Sequence, residues 1–189
     1  MKSIRGLAIA VVIAASPQVA QAQTVVLDAS NVGIHAPSFT FSVAGTTITV
    51  NETWTSTGPG MLLFLGLEAG VNYTVVKNIT NSTGVAWTRF ANELLDPASQ
   101  ANDDSDVQPY PGFVPAGYTT SNDGDALSFA QGSGLPRTSA TFSSLLVDEV
   151  TDVRDFLDFF NGTVADDGVD TITFGLRDST PSSLSEWSN

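Results

Sequence analysis

The chain has 189 residues, with 7 Lys and Arg against 20 Asp and Glu, one His and no Cys, for a net charge of −13. Such a polyanion repels nucleic acid and anionic lipid, whose binding needs clustered Lys or Arg. The absence of cysteine excludes disulfides, thiol catalysis, Fe–S clusters and thiolate zinc sites, and His35 alone disfavours His-rich metal sites and most Ser–His hydrolase schemes.

The chain opens with a basic start, Lys2 and Arg5, a short apolar run from Leu7 to Ala15, and a break at Ser16-Pro17. Ala20-Gln21-Ala22 then supplies small residues. That layout predicts a secretory signal peptide over residues 1–22, too short to span a bilayer, with cleavage after Ala22. Lys2 and Arg5 would leave with it, so 5 basic and 20 acidic groups remain, a net of −15, and Lys77 becomes the only lysine. The remaining stretch, 23–189, suits one domain with a real core.

Gln23 to Leu27 reads as a first strand. Ser38 to Val43 alternates, with Phe39, Phe41 and Val43 on one face. Thr46 to Thr55 alternates again, with Ile48, Val50 and Trp54 on one face and Glu52 interrupting it. The tight Ala44-Gly45 link between them predicts an antiparallel hairpin. Met61 to Leu67 is the strongest apolar run; it is strand length and is expected to fill a sheet core.

Tyr73, Val75, Lys77 and Ile79 then alternate with polar and β-branched neighbours. Asn81-Ser82-Thr83-Gly84 breaks the run, and Val85, Trp87 and Phe90 restart an apolar pattern. Two runs around an Asn/Ser/Gly cluster predict a second hairpin. Trp87 and Phe90 are spaced by three, so both rings face the core only if the strand carries a bulge or turns helical there; the bulge is favoured.

Residues 97–135 form the least regular stretch, a long loop of the kind that is usually functional or mobile, with short strands expected around Phe113–Val114 and Ala126–Phe129. Phe142 to Val147 reads as strand or short helix. Asp148 to Phe160 is ambiguous, with a strand favoured over Arg154–Phe159 that Asn161-Gly162 ends by turn chemistry. Asp166-Asp167-Gly168 is a further turn, and Asp170 to Leu176 is a closing strand with Ile172, Phe174 and Leu176 on one face. Seven to nine strands at this spacing predict an all-β fold, an antiparallel β-sandwich.

The string V-x-K-x-I-T-N-x-T-G-x-x-W-T-x-F-x-x-E-L over Val75–Leu94, with weaker stretches at Phe142–Ser144, Leu157–Val164 and Thr173–Asp178, resembles a group of bacterial exported proteins that often carry a PEP-CTERM sorting tail. The resemblance implies a secreted β-sandwich without established catalytic residues, at the cell surface or in an extracellular matrix. No Pro-Glu-Pro motif, apolar helix or basic tail follows Arg177, which favours free secretion over anchoring; the periplasm is the other compartment to consider.

Three acidic clusters offer oxygen ligands of the type calcium takes: Asp103, Asp104 and Asp106; Asp123 and Asp125; and Asp166, Asp167 and Asp170. None matches an EF-hand loop, and solvated turns are the plainer reading. Asp155 with Asp158, or Glu93 with Asp96, supply carboxylate pairs of glycosidase type, with surface charge the plainer reading. Trp187, Tyr110 and Tyr118 are candidate rings for stacking on sugars, whereas Trp54 and Trp87 are expected in the core. The leading expectation is therefore a non-enzymatic secreted protein, structural or adhesive, binding extracellular polysaccharide or itself. The alternatives are a calcium-assisted carbohydrate-binding module and a carboxylate-dependent glycoside hydrolase. No cofactor other than calcium, no nucleic acid and no membrane span in the mature chain is expected.

Overall fold

A computed structural model describes residues 22–97, 116–120, 127–148 and 155–179. In chain order its strands are β1 (Thr24–Leu27), β2 (Thr40–Ala44), β3 (Thr47–Trp54), β4 (Leu62–Leu65), β5 (Asn72–Asn81), β6 (Trp87–Glu93), β7 (Leu95–Pro97), β8 (Tyr118–Thr120), β9 (Leu127–Ser128), β10 (Thr138–Ser139), β11 (Ser144–Asp148), β12 (Phe156–Val164) and β13 (Val169–Asp178). A single 3-10 turn at Ala36–Ser38 is the only helical element among the described residues. The fold is all-β, and no described helix is long and apolar enough to cross a membrane.

Two sheets supply most of the core. The larger runs β10-β13-β5-β3-β2, with β9 also pairing β13. The smaller runs β11-β12-β6. The strict alternation of β5 does what period-two patterning requires: Tyr73, Val75, Lys77, Ile79 and Asn81 are all buried. From the larger sheet, Ile48, Val50, Val75, Ile172 and Phe174 join Phe90, Leu157 and Phe159 of the smaller one in a single hydrophobic cluster. That shared core is consistent with a β-sandwich.

The β2–β3 hairpin forms as its alternation predicts, with Gly45 at φ +60 in the turn. Phe41 nevertheless stands 37 % exposed, because β2 is an edge strand. The second expected hairpin does not form. β5 pairs with β13 and β3, whereas β6 pairs with β12 in the other sheet. The Asn81–Gly84 cluster is therefore a corner between layers. Local turn chemistry is the same in both cases, and only the tertiary partner distinguishes them.

One pair departs from the antiparallel pairing found elsewhere among the described strands: β3 and β5 run parallel, so the larger sheet is mixed. Parallel neighbours require a long crossover. Here residues 55–71 supply it, and β4 within that crossover pairs with β1 rather than entering the larger sheet. The Met61–Leu67 run is accordingly half-buried throughout, with Leu62, Phe64 and Leu67 packed against the core from its margin.

β12 extends beyond the predicted end. It runs through Asn161-Gly162 to Val164, and those two residues make an irregularity rather than a turn. Phe160 and Val164 face Arg89 and Trp87, so four residue steps on β12 oppose two on β6. The bulge expected near Trp87 thus lies in the partner strand. Asn161 takes φ +60, a conformation that asparagine tolerates, and its amide donates to Ser143 Oγ. Gly162 is required by closeness: a Cβ there would lie 2.5 Å from the Thr141 carbonyl oxygen and 2.9 Å from Phe142 Cα. Both obstacles are backbone, so Gly162→Ala is expected to cost about 1–3 kcal/mol of stability, as overpacking typically does. An unchanged melting temperature would show that residues 141–142 shift freely.

Candidate functional site

The acidic residues proposed from sequence separate into different environments. Asp103, Asp104, Asp106, Asp123, Asp125, Tyr110 and Trp187 lie outside the described residues. Asp170 is turned inward, 4 % exposed, and its carboxylate accepts hydrogen bonds from Ser139 Oγ and from the Thr141 and Thr171 backbone N–H groups. Asp166 accepts from the Gly84 N–H and Asp167 from the Ser82 hydroxyl, so both stitch the β12–β13 corner to the β5–β6 corner. The three do not converge, and among the described residues no group of three or more His, Asp or Glu is placed to hold a metal ion.

Those two corners share one organiser. Asn81 is fully buried, and its Nδ2 donates to the carbonyls of Val85, Val164 and Ala165. Its Oδ1 accepts from the Thr83 N–H and hydroxyl. Its own backbone N–H donates to Gly168 O, and its carbonyl accepts from Asp167 N–H.

Tyr118 is the one sugar-stacking candidate that can be placed. Its hydroxyl donates to Asp28 Oδ2 at 2.8 Å, and Asp28 Oδ1 accepts from the Ser30 hydroxyl and N–H. The Ser30 hydroxyl is the largest influence on the Asp28 carboxyl, which sits below its usual value despite an opposing effect of burial. Burial, then the hydrogen bond and charge of Asp28, push the Tyr118 phenol up to about 12. The lowered Asp28 value contributes stability above the unfolded carboxylate range, lost as pH falls through the folded value. The raised phenol contributes below about 10, lost as pH rises towards the folded value. A phenolate absorbance titration is expected to show Tyr118 ionising at about 12. Asp28→Asn should bring it only part of the way back, because burial remains.

The densest constellation lies between the sheets. Lys77 on β5 and Glu52 on β3 both point into the shared core, where an unpaired charge is costly. Lys77 Nζ stands 3.1 Å from Glu52 Oε1, with the two side chains 9 % and 0 % exposed. The other carboxylate oxygen, Oε2, accepts from the Trp54 indole N–H at 2.9 Å. Nζ also crosses the layer to donate to Asn92 Oδ1 on β6 at 3.0 Å, and lies 5.2 Å from the centre of the Phe90 ring. Phe90 in turn meets the Trp54 ring edge-on at 5.4 Å, and Trp87 joins them. Asn92 Nδ2 is buried without a hydrogen-bond partner. The interruption of an apolar face by Glu52, and the in-phase position of Lys77, are the sequence signals of this centre. Asn92 gives none.

A second buried carboxylate, Asp158 on β12, is gripped by Arg89, whose Nε reaches both carboxylate oxygens at 2.9 and 2.7 Å. Asp155, its expected glycosidase partner, is 1 % exposed. A cleft of about 280 Å³ opens where Arg137, Ser139, Phe142, Ser144 and Phe159 meet. Two of its polar groups are anchored: Arg137 donates to the Phe129 carbonyl and Ser139 to Asp170. Comparison with protein-family models, with curated proteins and with solved structures finds no match to this chain.

Proposed function

We propose that this is an exported, non-enzymatic protein that acts as a structural or adhesive element outside the cytoplasm, through its surface rather than through a reactive cleft. The observation that carries the reading is the use made of charge. In a chain with so few cations, Lys77 and Arg89 are turned onto the buried carboxylates Glu52 and Asp158, and Asp170 is spent on backbone N–H groups. Such groups hold a fold together. The signal-like leader and the resemblance to exported PEP-CTERM-type proteins support the location.

Edge strands support the assembly part of the reading. β2 carries no charged residue and exposes Phe41, and β11 exposes Leu146 at 50 % and Val147 at 38 %. Unpaired strand edges with apolar residues are templates for association. The test is binding of the purified mature protein to a panel of extracellular polysaccharides, together with its mass in solution. Retention on a polysaccharide or concentration-dependent assembly supports the reading. Release of reducing sugar that disappears when a single Asp or Glu is replaced would overturn it.

A further inference from the structure

The centre around Lys77 contains more than an ion pair needs. A primary amine, a carboxamide and a carboxylate meet in one water-poor space between two sheets. Nζ is 3.0 Å from Asn92 Oδ1, and the Asn92 Cγ is one carbonyl bond, about 1.2 Å, beyond that oxygen. The nucleophile is therefore at most about 4.2 Å from an electrophilic carbon, close to a near-attack arrangement. The Asn92 amide nitrogen has no hydrogen-bond partner to hold it in place. The carboxylate is oriented by Trp54 so that its other oxygen faces Nζ. We propose that Lys77 and Asn92 form an intramolecular isopeptide bond, with Glu52 as the proton shuttle, covalently joining the two sheets.

The step balances without any added reactant. The Lys77 ammonium gives a proton to Glu52 Oε1, which removes both buried charges together and frees the Nζ lone pair. Nζ attacks Asn92 Cγ, and the carbonyl electron pair moves to Oδ1. Nδ2, which no hydrogen bond holds in place, turns towards the protonated Glu52 as Cγ becomes tetrahedral, and Glu52 takes up the second Nζ proton as it delivers its own to Nδ2. The Cγ–Nδ2 bond then breaks, its electron pair leaving with nitrogen, and the carbonyl re-forms. The products are a Lys77 Nζ–Cγ Asn92 amide and ammonia, which carries away the remaining proton as ammonium. Glu52 returns to carboxylate, and nothing is oxidised or reduced. The rings of Trp54 and Phe90 keep out the water that would compete as nucleophile.

Such a bond meets a physical need of this chain. A protein without cysteine has no disulfide to join its layers, and a covalent link between β5 and β6 survives conditions that break non-covalent packing. The bond does not depend on the proposed function and is tested separately from it.

The experiment is the intact mass of the purified mature protein, followed by a tryptic map. The expected result is a mass lower than the sequence mass by one ammonia. Cleavage after Lys77 should be absent, and the fragment 90–137 should be joined to the fragment that contains Lys77. The map is decisive because cyclisation of an N-terminal glutamine also expels ammonia, but leaves Lys77 cleavable. Lys77→Arg and Glu52→Gln, each checked for folding by circular dichroism, should lose the joined fragment completely. The wild-type map alone overturns the proposal if, after days of incubation of the folded protein, Lys77 is cleaved normally and 90–137 is recovered as a free fragment. A joined fragment that persists in Glu52→Gln overturns the role assigned to Glu52.

Discussion

Asn81→Ala is expected to lower the stability of the fold by about 3–5 kcal/mol, a large effect for one side chain. The side chain occupies a fully buried position where β5 leaves the larger sheet and β12 enters the β13 corner. Truncation removes one donor from each of three backbone carbonyls, of which Val85 keeps the Thr83 hydroxyl and Ala165 keeps the Gly168 N–H, while Val164 loses its Asn81 bond and the Thr83 N–H loses its acceptor. Each buried group left unpaired costs about 1–3 kcal/mol, and water reaching the outer carbonyls recovers part of it. Asn81→Asp has nearly the same shape but turns a carboxylate oxygen onto those carbonyls, so it should be at least as damaging. Asn51→Ala serves as the contrast. Asn51 is exposed, bonding only Thr40 and Asn78 side chains, and its loss should stay within about 0.5 kcal/mol. Urea midpoints of the three variants decide the matter; a tolerated Asn81→Asp would show that the corners are held by packing instead.

The strands were legible because their evidence is local. Tyr73 to Ile79, Thr47 to Trp54 and Ile172 to Leu176 carry period-two patterns whose inward residues are the buried ones. Partnership was not legible. Asn81-Ser82-Thr83-Gly84 has the composition of a hairpin turn, and nothing within it says that the following strand pairs with β12 rather than β5. Asn161-Gly162 likewise reads as a turn, and only the mismatch against β6 converts it to an irregularity within a continuing strand. The centre between the sheets was half legible. Glu52 breaks an apolar face and Lys77 sits in phase with Val75 and Ile79, so each signals a buried charge by position. Their meeting depends on the parallel pairing of β3 with β5, a long-range event, and Asn92 joins them only because β6 faces β5 across the core.

Glu52→Gln is expected to destabilise the native sequence and to stabilise the Lys77→Met variant. In the native sequence, glutamine removes the counter-charge of Lys77 and leaves an ammonium group buried against Asn92 and the Phe90 ring. Breaking one half of a buried pair in this way typically costs about 3–5 kcal/mol. Loss of the Lys77–Asn92 bond would add to that cost without changing its sign. In Lys77→Met the thioether chain fills the space of the lysine stem, but the fully buried Glu52 carboxylate keeps only the Trp54 indole N–H. Replacing it there with glutamine removes an uncompensated charge while the amide oxygen still accepts from Trp54, so stability should recover by about 1 kcal/mol or more. Neither protein in that second comparison has the amine, so no covalent bond enters it. The measurement is a double-mutant cycle of urea midpoints. A shift of the same sign in both backgrounds would mean that Glu52 and Lys77 do not act as a unit. Because both groups are shielded from solvent, the coupling should also persist at about 1 M salt, where the screening length falls to about 3 Å and exposed pairs lose their effect.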